Sequence, residues 1–122
     1  MKIIVAGGRD FTNYQILDTI LSEHINPPFD IIISGDAIGA DSLGSIWANK
    51  HGIYVLHFPA NWNTYGKSAG FIRNAEMGEA ADALIAFWDG KSKGTKHMIQ
   101  TMRFSKKPYY VYNYQGELID HG

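Results

Sequence analysis

Residues Gly70 to Met98 read GFIRNAEMGEAADALIAFWDGKSKGTKHM, and the succession of patterns within them decides the fold. The stretch starts as a helix carrying Arg73, Asn74 and Glu76 and passes into the apolar run Ala83 to Trp88. It then opens a turn of Gly, Lys, Ser and Thr before helical spacing returns. Gly90 and Gly94 have no side chain to hinder an approaching group, so backbone N–H groups at the start of the second helix can face an anion. A phosphate-bearing small molecule is the first ligand this pattern implies.

On the N-terminal side the same alternation repeats. Lys2 to Ala6 is a short β-branched run ending in Gly7-Gly8, read as a buried strand and a tight turn. Thr12 and Gln15 have capping-box spacing before a helix with Ile16, Leu17, Ile20, Leu21 and Ile25 at helical period, and Asn26-Pro27-Pro28 stops it. Phe29 to Ile33 predicts a second strand, followed by the small-residue turn Ser34 to Asp41 and a helix with Leu43, Ile46 and Trp47 on one face, ended by Gly52. Ile53 to Phe58 predicts a third strand, and Pro59 to Lys67 a longer loop holding Trp62 and Tyr65. A helix over 67–80 and a strand over 83–88 follow. On the C-terminal side Thr95, Met98, Ile99 and Met102 fit one helix face, Pro108 to Tyr112 a fifth strand, and Gln115-Gly116 an edge hairpin.

Strands alternating with helices at this spacing predict an α/β fold, a three-layer Rossmann-like parallel sheet of about five strands with helices on both faces. Ligands of such sheets bind beyond the carboxyl ends of the strands, and three polar, glycine-bearing turns fall there: 7–12, 34–41 and 89–95. With 122 residues, 45% hydrophobic and 19% charged, the chain suits one domain over 1–122 with a single core, not a disordered segment. A net charge of −1 supplies no global attraction to nucleic acid or anionic membrane. Cysteine is absent, which excludes disulfides and thiolate metal sites, and the N-terminal apolar run is too short for a signal peptide or a span. A cytoplasmic protein is expected.

Two GKS triplets, at 66–68 and 90–92, lack the phosphate-loop glycine, since Asn61 and Ile85 stand where it belongs. The dinucleotide glycine pattern is missing after the first strand. The five histidines show no metal-ligand spacing, and no metal or cofactor is expected. Asp36 and Asp41 suit capping or turn roles better than Mg²⁺ ligation. The candidate ligand-binding residues are those of the predicted rim: Arg9, Asp10, Ser34, Asp36, Asp41, Arg73, Asn74, Lys91, Ser92, Lys93 and Thr95, with Glu76 on the same helix as Arg73. Arg73 can fork two hydrogen bonds onto a phosphate, Ser34, Ser92 and Thr95 can donate to its other oxygens, and the carboxylates can accept from ribose hydroxyls. The competing reading for Arg73 and Glu76 is a solvated intrahelical pair, and for Trp62, Tyr65 and Trp88 it is packing rather than base stacking.

These residues resemble the SLOG superfamily, which includes the LOG-type phosphoribohydrolases and the DNA-processing protein A family. Arg73-Asn74-Ala75-Glu76-Met77, Ala81-Asp82-Ala83, the apolar strand and Asp89-Gly90-Lys91-Ser92-Lys93-Gly94-Thr95 follow the order of the LOG helix, strand and glycine turn. Ser34 to Asp41 is similar to a segment of the DNA-processing branch, and Gly7 to Phe11 with Trp88 to Thr95 is similar to small stand-alone proteins of the YspA/YpsA-related kind. The resemblance implies a nucleotide-binding Rossmann-like domain, commonly homo-oligomeric. It adds Gly8, Phe11, Gly35, Gly39, Asp89, Gly90 and Gly94 to the ligand-binding set.

It also implies binding of a nucleoside monophosphate, ADP-ribose or a related signal, as a sensor or sequestering module. Lys96, His97 and Met98 follow the Gly-Thr pair where the LOG hydrolases carry carboxylates. N-glycosidic cleavage is therefore the alternative, with Arg73 and Glu76 as its catalytic candidates or with Asp36 or Asp41 supplying the carboxylate. Single-stranded DNA binding is a third class, opposed by the balanced charge although Arg103, Lys106 and Lys107 cluster.

Overall fold

A computed structural model describes all of residues 1–122. In chain order the elements are β1 (Lys2–Gly7), α1 (Tyr14–His24), β2 (Ile31–Ser34), α2 (Ala40–Lys50), β3 (Val55–His57), α3 (Trp62–Tyr65) with a 3-10 turn at Gly66–Ser68, α4 (Ala69–Ala80), β4 (Ala83–Phe87), α5 (Lys93–Phe104), β5 (Tyr109–Tyr112) and β6 (Leu118–His121). The strands form one six-stranded sheet in the order β3-β2-β1-β4-β5-β6, parallel except for β6, which runs antiparallel to β5. The sixth strand is the edge hairpin of the tail. Asn113 shapes its turn by accepting the Gln115 and Glu117 N–H groups on Oδ1 at 3.0 and 2.9 Å.

The strands are apolar on both faces because both are covered. Ile3, Val5, Ile32, Ile85 and Phe87 point to the layer of Leu17, Leu21, Trp47 and Ala48 from α1 and α2. Their neighbours Ile4, Ala6, Ile33, Leu84 and Ala86 point to Met77 of α4 and Met98, Ile99 and Met102 of α5. This two-residue alternation splits the core into two layers, each fully buried large aliphatic side chain contributing roughly 1.5–3 kcal/mol. Because α1 and α2 lie on one face and α4 and α5 on the other, the chain changes faces between the central neighbours β1 and β4. A crevice opens at their carboxyl ends.

Three local expectations are corrected. The N-cap of α1 is Asn13, whose Oδ1 accepts from Ile16 N at 3.1 Å, one residue after the anticipated Thr12. Strand β2 starts at Ile31, not Phe29. Asp30 binds the Asn26 N–H at 2.9 Å and the N-terminal ammonium at 3.2 Å, holding 26–30 in a turn that leaves Phe29 83% exposed. The 59–67 loop contains the short helix α3, capped by Asn61 on Thr64 N at 3.1 Å and burying none of its side chains. No helix is long and apolar enough to cross a membrane.

Candidate functional site

The crevice at the β1–β4 switch is a cleft of ≈ 430 Å³. Its floor is Ala6, Gly7 and Gly8 at the end of β1, with Met77 and Met98 behind. Its walls come from separate segments: Arg9 and Asp10 after β1, Ala37 and Asp41 around the start of α2, and Trp62 and Lys67 from the α3 segment. Gly70, Phe71, Arg73 and Asn74 of α4 and Ser92, Gly94 and Thr95 at the start of α5 complete them. Parallel strands end together, so loops far apart in sequence meet on one rim.

Arg73 is the pivot of this arrangement. Its Nη1 donates to the Gly35 carbonyl and its Nε donates to Asn74 Oδ1 at 3.1 Å, both uncharged acceptors. The ion pairs of the chain join Met1 to Asp30, His57 to Asp36 and Arg103 to Asp120, so Arg9, Lys67 and Arg73 along the cleft form no direct ion pair, although Asp41 lies near Arg73. Asn74, itself buried, donates to the Gly94 carbonyl at 3.1 Å and to His97 Nδ1 at 3.3 Å. It thereby ties α4 to the first turn of α5 while holding the guanidinium. Gly35 makes this approach possible, because a Cβ there would lie 2.6 Å from Arg73 Nη1 and 2.9 Å from Asp41 Oδ2.

Asp41 is 5% exposed. Burial pushes its carboxyl up to about 6, opposed by the nearby Arg73 cation and by the Ala37 and Gly35 N–H groups, and assisted by Asp36. A carboxylic acid poised near neutrality inside a cleft can exchange a proton with a bound molecule. Asp10 accepts from Tyr114 Oη at 2.5 Å, which with burial of the phenol raises the Tyr114 pKa. At the opposite wall α5 begins with Ser92 as N-cap, its Oγ accepting from Thr95 N at 3.4 Å and lying 3.0 Å from Thr95 Oγ1. This 12-residue helix presents its positive end to the cleft.

Of the anticipated ligand-binding residues, the structure brings together Gly8, Arg9, Asp10, Asp41, Arg73, Asn74, Ser92, Gly94 and Thr95 on the cleft wall. Gly35 and Asp36 line an adjoining cavity. Phe11 belongs to the core instead, 1% exposed and stacked on Phe87 at 4.6 Å. Ser34 is buried behind the rim, and its Oγ accepts from Asp36 N at 3.1 Å. Gly39 shapes its turn rather than the wall, with φ +83 and a hypothetical Cβ 2.3 Å from the Gly8 carbonyl oxygen. Asp89 faces solvent, where its Oδ1 accepts the Lys91 and Ser92 N–H groups at 2.8 Å each and its pKa is lowered by them. Gly90 and Lys91 are exposed beyond the cleft, and so is Glu76, on the outer face of α4. Lys67 and Phe71 on the wall have no counterpart among the anticipated residues. Trp62 is 52% exposed there, its ring edge beside Gly70.

A mostly parallel sheet covered by helices on both faces, with a polar crevice at its switch point, is a Rossmann-like fold. The model of the YspA, cpYpsA-related SLOG family matches residues 1–65. Gene 61 protein of Mycobacterium phage D29 is 34% identical over 108 residues, which cover 81% of this chain and 86% of that protein. The chain belongs to the YspA, cpYpsA-related SLOG family. The fold is also that of DNA processing protein A from Helicobacter pylori, whose structure describes a single-stranded DNA binding mode. The two superpose with a TM-score of 0.67 at 21% identity over 92% of this chain, and the chain spans 65% of the length of that one.

Proposed function

We propose that the chain binds a phosphorylated nucleotide-derived small molecule, a nucleoside monophosphate or an ADP-ribose-like compound, in the switch-point cleft and acts as a sensor or sequestering module. The observation that carries this reading is the Arg73 guanidinium, which lines the cleft without a direct ion pair and shares that cleft with the N-terminal end of α5. A guanidinium and a helix N-terminus on one cavity are complementary to phosphate oxygens. Asp10 and Asp41 offer acceptors for ribose hydroxyls, and the half-exposed Trp62 and Phe71 offer faces for a base. Homo-oligomerisation belongs to the same proposal, the β3 edge and the exposed Leu118 and Ile119 of β6 being available for it.

Thermal denaturation with AMP and ADP-ribose tests the reading. A ligand at a hundred times its Kd adds about 2.7 kcal/mol, a rise in Tm of several degrees for a domain this size. Arg73→Ala is expected to abolish the rise. No stabilisation by any member of a nucleotide panel would remove the proposal.

Basic and aromatic side chains at the cleft mouth, Arg9, Lys67, Trp62 and Phe71, favour single-stranded nucleic acid as a second reading, which weighs against dismissing that partner on net charge. It predicts retardation of oligonucleotides that weakens steeply with salt. The hydrolytic alternative transfers from Glu76, outside the cleft, to Asp41 within it, and predicts release of free base that Asp41→Asn abolishes.

A further inference from the structure

A second cavity of ≈ 320 Å³ adjoins the cleft. Arg9, Ala37, Trp62 and Arg73 line both spaces, so both guanidinium-bearing residues stand at the waist between them. The far lobe has a different character. Ile38, Pro59 and Ala60 give it an apolar wall, and Asp36, held by His57 Nδ1 at 2.6 Å, gives it a carboxylate. An apolar wall beside a fixed acceptor suits a ring or sugar with hydroxyl groups.

Resting on the nucleotide reading above, we infer that the ligand is two-ended: a nucleotide whose diphosphate bridge lies between Arg9 and Arg73, with one substituent in each lobe. A nucleoside monophosphate ends at its phosphate and occupies one lobe, leaving the far wall without a partner. A diphosphate bridge carries two negative charges for two guanidinium groups that form no direct ion pair. Its oxygens also match the donors that Arg73 retains after serving Gly35 and Asn74. Gly35 keeps the waist open, since a side chain there would run into Arg73 and Asp41.

Isothermal titration of the full chain with AMP and with ADP-ribose, on wild type and on Ala60→Trp and Ile38→Ala, decides the matter. The first substitution fills the far lobe and the second trims its wall at a residue that is 66% exposed, so the second leaves folding intact. ADP-ribose is expected to bind wild type about tenfold or more tighter than AMP. Both variants are expected to reduce that ratio while AMP affinity holds. Equal affinity of the two probes for wild type, or a ratio that neither variant changes, would overturn the two-ended assignment alone. Absence of binding by both probes to folded protein would overturn the nucleotide reading with it.

Discussion

The two turns that open helices beside the cleft, 34–40 before α2 and 88–92 before α5, look alike as strings of small and polar residues but draw on other segments to different degrees. The α5 turn satisfies itself: Asp89 accepts two of its N–H groups, Ser92 caps Thr95, and Trp88 Nε1 donates to the Ser92 carbonyl at 3.1 Å. The α2 turn has bonds of its own, Asp36 N to Ser34 Oγ and Ala37 N to Asp41, but leans on other segments as well. Ala40 N donates to the Gly8 carbonyl at 3.3 Å, the Gly35 carbonyl accepts from Arg73, and Asp36 is tied to His57 at a φ of 60. Asp89 is spent within its turn and faces outward, whereas Ser92 and Thr95, which also bond each other, still line the cleft. A turn braced from outside couples its geometry to the cleft.

Substitution at Gly39 tests the dependent turn hardest. Its positive φ and the overlap of a Cβ with the Gly8 carbonyl oxygen set the expected cost of Gly39→Ala at about 3 kcal/mol or more, read by chemical denaturation. An unchanged midpoint would show that the α2 turn does not lean on β1.

Asp41 comes next, through pH. The folded carboxyl keeps its proton up to about 6, whereas the unfolded one releases it near 3.8. The stability this group contributes is therefore complete below pH 3.8 and lost as pH rises through 6, a difference of up to about 3 kcal/mol. Asp41→Asn is expected to be more stable than wild type above pH 6, with the gain fading toward pH 4. A gain independent of pH would place its cause elsewhere.

Ser92→Ala removes a cap from the self-sufficient turn and is expected to cost about 1 kcal/mol in urea denaturation. Lys91→Ala has the smallest effect, within about 0.5 kcal/mol in stability, with the nucleotide-induced rise in Tm unchanged. Loss of that rise in Lys91→Ala would mean that Lys91 reaches the ligand from outside the cleft wall, against its position in the fold.

The sheet and its helices were legible because their signals are local. Ile3 to Ala6 and Ala83 to Phe87 are continuous apolar runs, and Thr95, Met98, Ile99 and Met102 repeat at helical period and are all buried. The rim was legible one step later, since parallel strands put their following turns at one end. Phe11 misled because it adjoins Gly8, Arg9 and Asp10. Its core position comes from Phe87 and Tyr114, which stack on and edge against it from far along the chain. Lys67 left no readable trace, because the α3 segment and the 3-10 turn after it bury no side chain and so have no hydrophobic period.

Taken alone, the order of residues determined the alternation of strands and helices and, through it, the end of the sheet where a ligand belongs, since hydrophobic period reports only on immediate neighbours along the chain. Tertiary structure decided the direction of each polar group. Arg73 points to Gly35 and away from Glu76 because a carbonyl 38 residues distant lies within its reach, and no local pattern encodes that distance.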